Sequence, residues 1–229
     1  MNSLRILSGG AAEGLVGRTA PGVTATTGFA VTGTFGAVGD MAAKLRAGEG
    51  ADIMILTRAL IADLEAEGLV LAGSAVDVGA VPTSVAVRAG DAVPDVSTQE
   101  ALRAALLAAP ALFCPNIETS TAGRHVAAVL SQLGIRQEME SKLRVYPNGA
   151  KAMAALAASG IDGAIGSTQA TEILNTPGIS LIAHLPEGVG LLTVYTAGVT
   201  TASPHADAAR ALIAALAASP VRPELGFEV

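Results

Sequence analysis

The chain has 229 residues, of which 51% are hydrophobic and 3% aromatic, and its formal net charge at pH 7 is -6. This composition excludes an intrinsically disordered chain, and the negative charge excludes a general affinity for nucleic acid or for an anionic membrane surface. The length suits one large domain or two lobes of about 100 residues each.

Short apolar runs alternate with helical patterns along the first 90 residues. The predicted elements, in chain order, are a strand at 4–7, a helix from residue 11 that Gly17 and Pro21 weaken, a strand at 29–35, a helix at 41–48, a strand at 51–56, a helix at 59–68 and a strand at 81–90. This order predicts a mainly parallel sheet with helices on both faces.

The same rhythm is renewed in the second part of the chain. It predicts helices at 98–109, 121–134, 149–160, 167–174 and 205–219, and strands at 111–114, 143–146, 162–166, 179–185 and 190–199. We therefore expect an α/β fold of two doubly wound lobes, residues 1–82 plus 195–229 and residues 83–194. Two hinge crossings, near 81–87 and 191–197, would join the lobes, with a ligand cleft between them.

Five loops of small residues lie where predicted strands lead into helices, at 8–11, 36–39, 120–123, 148–150 and 166–169. Ligands of open α/β sheets bind at such strand ends, where backbone amides and helix dipoles favour an anion. Short turns are often glycine-rich for other reasons, but five together predict an anion site made mostly of main chain. Its candidate residues are Gly9, Gly10, Ala11, Gly36, Ala37, Val38, Ser120, Thr121, Ala122, Ala150, Gly166 and Ser167.

Basic residues add a second indication. Arg58, Arg124 and Lys151 each lie in or beside the first turn of a predicted helix, where a cation opposes the helix dipole at a cost of about 0.3–1 kcal/mol. A bound anion would reverse that cost, so we include all three as ligand-binding candidates, with Arg88 in the first crossing as a further one. The alternative is that these side chains extend into solvent.

Other site chemistries find little support. The glycines at 33, 36 and 39 match neither a P-loop nor a dinucleotide fingerprint, and no metal-ligand motif is present, so we expect no cofactor and no metal. His125 is a candidate proton carrier, although a structural role is the commoner one. We interpret His184 and His205 as structural and Cys114 as a small buried hydrophobe.

Compartment and membrane association are also addressed by the sequence. The opening MNSLRILSGG contains no signal-peptide pattern, so as written the sequence predicts either a cytoplasmic protein or one whose signal peptide has been removed. No apolar run of about 18 residues occurs, so we expect no membrane span. The single cysteine excludes an internal disulfide.

Four segments carry a family resemblance: LRILSGGAAEGL, GAVGDMAAKLRAGEGADIMIL, NIETSTAGRHVAAVLSQLG and NGAKAMAALAASGIDGAIGS. Over nearly its whole length the chain resembles the periplasmic molybdate-binding protein family, within the type II solute-binding proteins. The resemblance implies two lobes that close over an oxyanion held by main-chain amides and hydroxyls, a periplasmic location and an ABC transporter as partner. It also implies a structural role for Asp52.

The chain departs from that family at its binding positions. Ala11 and the 36–39 loop lack the hydroxyls of the family's serines, and Gly166 stands where the family has a tyrosine. The freed space suits a larger ligand than a tetrahedral oxyanion, and an organic carboxylate that pairs with arginine fits best.

A second hypothesis is enzymatic, because the aconitate isomerases are similar to the same family. Moving a double bond requires a base beside the substrate carboxylate, and the candidate bases are His125, Glu13 and Glu118. A third class, the ligand-sensing half of a regulator, would need a DNA-binding segment that this sequence does not contain.

Overall fold

The computed structural model describes residues 2–228. These divide into two compact units, unit 1 (Met1–Ala80 and Thr193–Val229) and unit 2 (Val81–Leu192). The strands are β1 (Ser3–Gly9), β2 (Ala30–Gly36), β3 (Ile53–Thr57), β4 (Val76–Arg88), β5 (Leu112–Pro115), β6 (Leu143–Tyr146), β7 (Ile165–Gln169), β8 (Ile179–His184) and β9 (Leu192–Val199). The helices are α1 (Glu13–Thr27), α2 (Val38–Arg46), α3 (Arg58–Ala66), α4 (Gln99–Ala108), α5 (Thr121–Gln132), α6 (Arg136–Met139), α7 (Gly149–Ala158), α8 (Ala170–Leu174) and α9 (Ala206–Ala217).

The sheet of unit 1 has the strand order β2-β1-β3-β9. β1 pairs in parallel with both β2 and β3, while β9 runs antiparallel to β3. The register places Gly9 opposite Gly36 and Ser8 opposite Ile55. The carboxyl ends of β1, β2 and β3 therefore share one edge, and α1, α2 and α3 begin there.

The sheet of unit 2 is built on the parallel pairs β5–β6 and β5–β7, with β4 antiparallel to both β7 and β8. Side chains alternate between its faces. Leu112 and Cys114 pack into one apolar cluster, which includes Leu130 of α5, and Phe113 packs into another, which includes Met153 of α7. Pro115 lies opposite Tyr146, so α5 and α7 start from the same edge of this sheet.

The largest departure from the sequence prediction is at β7. The strand was expected at 162–166 and a helix at 167–174, but β7 continues to Gln169 and α8 begins only at Ala170. Ser167 and Thr168 pair with Val85 and Ser84 of β4. This pairing with a distant segment overrides the local helical pattern.

Helix α1 also differs from expectation, because it runs through Pro21 to Thr27. Pro21 is exposed, whereas Leu15, Val16 and Val23 are buried. Burial of that face maintains the helix despite the hydrogen bond that proline removes.

Gly123 tests how closely α5 approaches the end of β5. A Cβ at this position would overlap the backbone oxygens of Asn116 and Pro115. We expect Gly123→Ala to lower the free energy of unfolding by about 1–3 kcal/mol, since backbone atoms cannot move aside cheaply. Urea denaturation followed by circular dichroism measures the change.

Gly17→Ala is the matched control, because within the described chain a Cβ on Gly17 would meet no atom within 4 Å beyond its neighbours and its own helix backbone. In a helix interior this change is expected to stabilise by about 0.5–1 kcal/mol. Equal denaturation midpoints for the two variants would contradict the close approach of α5 to β5.

Candidate functional site

In unit 1 the starts of α1 and α2 lie side by side without side-chain caps. Across residues 2–228, neither Gly9 nor Ala12, which precede the short 3-10 turn and α1, nor Ala37, which precedes α2, provides a capping hydrogen bond. A Cβ on Gly9 would lie 2.8 Å from Val38 Cγ1 and 3.1 Å from Tyr195 Cε1. The absent side chain at Gly9 thus lets the two helix starts meet at the sheet edge.

The sequence-predicted residues Gly9, Gly10, Ala11, Gly36, Ala37 and Val38 all belong to this pair of starts. Because the first amides of a helix have no partner within it, two uncapped starts concentrate donors and partial positive charge at one edge. This arrangement of unit 1 favours an anion.

Arg58 lies at the neighbouring helix start but is engaged. Its Nε donates to Asp77 Oδ1 at 3.2 Å and its Nη2 pairs with Asp77 Oδ2. Thr196 Oγ1 donates to the same carboxylate at 2.6 Å. The guanidinium hydrogen bond holds the pKa of Asp77 below its usual range. Arg58, a predicted ligand-binding residue, therefore already has a carboxylate partner within unit 1.

In unit 2 the start of α5 combines a cap with two unsatisfied hydroxyls. Ser120 Oγ accepts from the amide of Gly123 at 3.4 Å, a long hydrogen bond, and Asn116 Oδ1 accepts from the amide of Thr119 at 3.0 Å. In the described part of the chain, the buried Oγ1 atoms of Thr119 and Thr121 have no hydrogen-bond partner. The predicted residues Ser120, Thr121 and Ala122 are thus gathered around polar atoms that lack an internal partner.

The two candidates that follow on α5 have structural contacts. Arg124 Nη1 donates to the carbonyl of Glu118 at 3.1 Å. His125 Nε2 lies 2.8 Å from the carbonyl oxygen of Val189. A carbonyl only accepts, so Nε2 carries the proton and cannot serve as a base, which leaves Nδ1 alone for that role. Glu118 and Glu13 are exposed.

The start of α7 is occupied by a carboxyl group that the sequence analysis did not identify. Glu172 of α8 is 7% exposed, and Thr168 Oγ1 donates to its Oε2 at 2.5 Å. Burial raises the pKa of Glu172, while hydrogen bonds from Thr168 and from the amides of Ala150, Gly149 and Gln169 oppose that rise. The pKa stays above its usual range because burial is the larger effect.

This arrangement corrects the predictions for Ala150 and Lys151. The amide of Ala150 donates to Glu172, and the amide of Lys151 donates to Asn148 Oδ1 at 2.9 Å. Lys151 itself is exposed. The amides at the start of α7 therefore donate to acceptors within the chain. Sequence reasoning missed Glu172 because it predicts one helix at 167–174, whereas the burial of this residue depends on the continuation of β7 to Gln169.

Gly166 and Ser167 are corrected as well, since both are buried in β7 and not in a loop. A Cβ on Gly166 would lie 2.6 Å from Met153 Cε. Ser167 Oγ donates to the carbonyl of Ser84 at 3.0 Å. These two residues support the sheet and do not face a helix start.

Two other charged residues have clear structural partners. Asp52 is buried and accepts from the amide of Arg5 at 2.8 Å and from Ser203 Oγ at 2.7 Å, which confirms its structural role. Arg88 pairs with Asp91 at 3.0 Å and with Asp162 at 2.6 Å. Arg88, a further ligand-binding candidate, is thus already paired with two carboxylates.

Metal-binding and membrane-spanning features are both absent from the residues that the structure describes. Among them, no group of three or more His, Cys, Asp or Glu side chains is placed to hold a metal ion. None of the helices in residues 2–228 is long and apolar enough to cross a membrane.

Parallel strands whose carboxyl ends lead into helix starts at a common edge define the class, an α/β fold. Residues 4–225 match the family of bacterial extracellular solute-binding proteins, and the chain belongs to that family. The Azotobacter vinelandii periplasmic molybdate-binding protein is similar in structure, with a TM-score of 0.80, 15% identity and 99% of each chain covered.

Two further relatives bear on the class. The sulfate-binding protein of Mycobacterium tuberculosis has a TM-score of 0.75 at 17% identity, covering 99% of this chain and 86% of its own. The structural likenesses confirm the predicted periplasmic-binding-protein fold. An aconitate isomerase from Pseudomonas sp is 27% identical over 223 residues, covering 95% of this chain and 83% of the relative.

Cys114 gives a direct test of the buried strand β5. The residue is fully buried, and burial raises the pKa of its thiol to about 12. Since the thiolate is the reactive form, we expect no modification by a thiol reagent such as Ellman's at pH 8 in the folded protein. Full modification is expected in urea, which serves as the control. Stoichiometric labelling of the folded chain would contradict this placement.

Proposed function

We propose that this solute-binding protein binds a small organic carboxylate through main-chain amides and hydroxyls at helix starts. The observation that carries the proposal is the pair of buried hydroxyls of Thr119 and Thr121 without a partner, together with the starts of α1 and α2 that lack a side-chain cap, all described above for residues 2–228. Leaving a buried hydroxyl unpaired costs about 1–3 kcal/mol, so a ligand or water that accepts these hydrogen bonds is favoured.

The ligand class follows from the residues around these donors. Ala11 and Ala37 are buried and offer no hydroxyl, so main-chain amides supply most hydrogen bonds in unit 1. Such amides suit the spread charge of a carboxylate, and the small side chains leave room for its carbon skeleton. Arg58 and Arg124 are already engaged by Asp77 and by the Glu118 carbonyl, so recognition rests on amides more than on guanidinium groups.

Family membership supports the coarser part of the proposal. The similar molybdate- and sulfate-binding proteins are, by name, anion binders. We extend to this chain a periplasmic location and an ABC transporter as partner on family membership alone.

The alternative function is isomerisation of an unsaturated tricarboxylate, which the aconitate isomerase relative favours. The base would take a proton from a carbon next to the double bond and return it to the far carbon of that double bond, so that the double bond moves by one position. Glu13, the first residue of α1, and Glu118, which precedes α5, are the remaining carboxylate candidates. His125 is limited to Nδ1.

Absorbance of aconitate in the ultraviolet separates the enzyme from the binder. An isomerase converts one isomer into the other, and Glu13→Gln or Glu118→Gln should then abolish turnover while binding persists. Turnover that survives both substitutions and also His125→Asn would exclude these bases. A complete lack of turnover, together with tight binding, is the outcome we expect.

A thermal-shift screen tests the ligand class. We expect di- and tricarboxylates to raise the melting temperature as ligand exceeds its Kd, since 100-fold excess stabilises by about 2.7 kcal/mol. Molybdate, tungstate and sulfate should have little effect at the same concentrations. Tight binding of molybdate without binding of any carboxylate would refute the proposed preference.

Thr121→Val tests whether the buried hydroxyl at α5 meets the ligand. Its loss should weaken carboxylate binding by about tenfold, one hydrogen bond of about 1–1.5 kcal/mol, while the ligand-free protein keeps its stability. Thr171→Val is the matched control, because among the described residues Thr171 also has a buried hydroxyl without a partner but lies on α8. Equal affinity loss in both variants, measured by titration calorimetry, would refute the role of Thr121.

A further inference from the structure

The first turn of α7 has an internal acceptor for each of its amides. Gly149 and Ala150 donate to Glu172, and Lys151 donates to Asn148 Oδ1. The next amide, of Ala152, already donates within the chain to the carbonyl of Asn148 at 3.0 Å. At other helix starts of an α/β sheet such amides are available to a ligand, whereas the amides of residues 149–152 all donate to acceptors within the chain.

The surroundings of Glu172 are shaped around its carboxyl group. A Cβ on Gly149 would overlap both Glu172 Oε2 and Thr168 Oγ1, so glycine at the first position of α7 makes room for the acid. Thr168, which is fully buried, adds its hydroxyl at 2.5 Å, and the amide of Gln169 adds another donor. Hydroxyl and amide donors that converge on one carboxyl group form the kind of pocket that would otherwise hold a free anion.

We propose that Glu172 is a specificity-determining residue that acts by positioning. Its carboxyl group takes the place at the start of α7 that an anion would otherwise occupy, so this helix start does not bind the ligand. The inference depends on the proposed anion-binding function only for its consequence for the ligand. In unit 2 the ligand would direct its charge to the start of α5, because Glu172 already occupies the start of α7. A ligand with a single carboxylate for unit 2 then fits better than an oxyanion that needs donors from both helices.

A buried carboxyl group affects stability through its protonation. Its pKa is raised by burial and lowered by Thr168 and the amides of Ala150, Gly149 and Gln169, and no charged side chain of the described chain contributes to the shift. The pKa of Glu172 in the folded protein lies above the unfolded value of about 4.3. Its contribution to the free energy of unfolding is therefore fully present below the unfolded pKa and is lost as the pH rises through the folded pKa.

The first experiment removes the carboxyl group of Glu172 from the donors that surround it. In ligand-free Glu172→Ala, 100 mM formate should raise the melting temperature by about 2–4 °C relative to 100 mM chloride, because formate takes the place of the missing carboxyl group. Wild-type protein, whose pocket is filled, should show no such difference. Equal shifts in both proteins, or no shift in the variant, would overturn the inference.

The second experiment covers the case in which Glu172→Ala does not fold. Glu172→Gln keeps the size and one acceptor oxygen but cannot ionise, so we expect it to lose the fall in stability that the wild type shows as the pH rises above the unfolded pKa of about 4.3. An unchanged pH profile would overturn the inference. Both measurements use ligand-free protein, so a failed carboxylate screen refutes the proposed function without affecting them.

Discussion

The amides at a helix start have no partner within the helix, and this constraint governs how both units are built. Parallel pairing brings strand ends to a common edge, and each following helix begins there with unpaired donors. The chain meets the constraint differently at each start. Thr57 caps α3 and Ser120 caps α5, Asn148 and Glu172 together close α7, and in the described chain α1 and α2 begin without a side-chain cap.

The glycines near these helix starts make room for different neighbouring atoms. Gly123 lets α5 approach the carbonyl of Asn116, Gly149 makes room for Glu172, and Gly9 lets the start of α2 approach. A glycine in the sequence indicates that a Cβ is absent but not which atom needs the space. The five loops of small residues look alike in the sequence, although contacts from distant segments give them separate roles.

Sequence patterns predicted those elements whose signal is local. The strand at 143–146 has the predicted bounds, and α5 and α7 begin at the predicted residues, because apolar periodicity and the capping residues Ser120 and Asn148 lie within one segment. The end of β7 depends instead on pairing with β4, more than 80 residues earlier. The same is true of the site, since the partners of Arg58 and Glu172 come from other elements.

The distribution of charge favours recognition by main chain. Arg46, Arg58 and Arg88 are each paired with a carboxylate, so an anion that sought a guanidinium would first have to displace an acid. The pairs of Arg46 and Arg58 are exposed, so they contribute little stability and rearrange easily, which makes them poor at fixing the geometry of a ligand. Amides at a helix start are held by the fold itself and need no such displacement. A chain of net charge -6 can therefore attract an anion only locally, where helix dipoles and unpaired donors coincide, and α7 does not meet that condition because Glu172 and Asn148 already accept from its first amides.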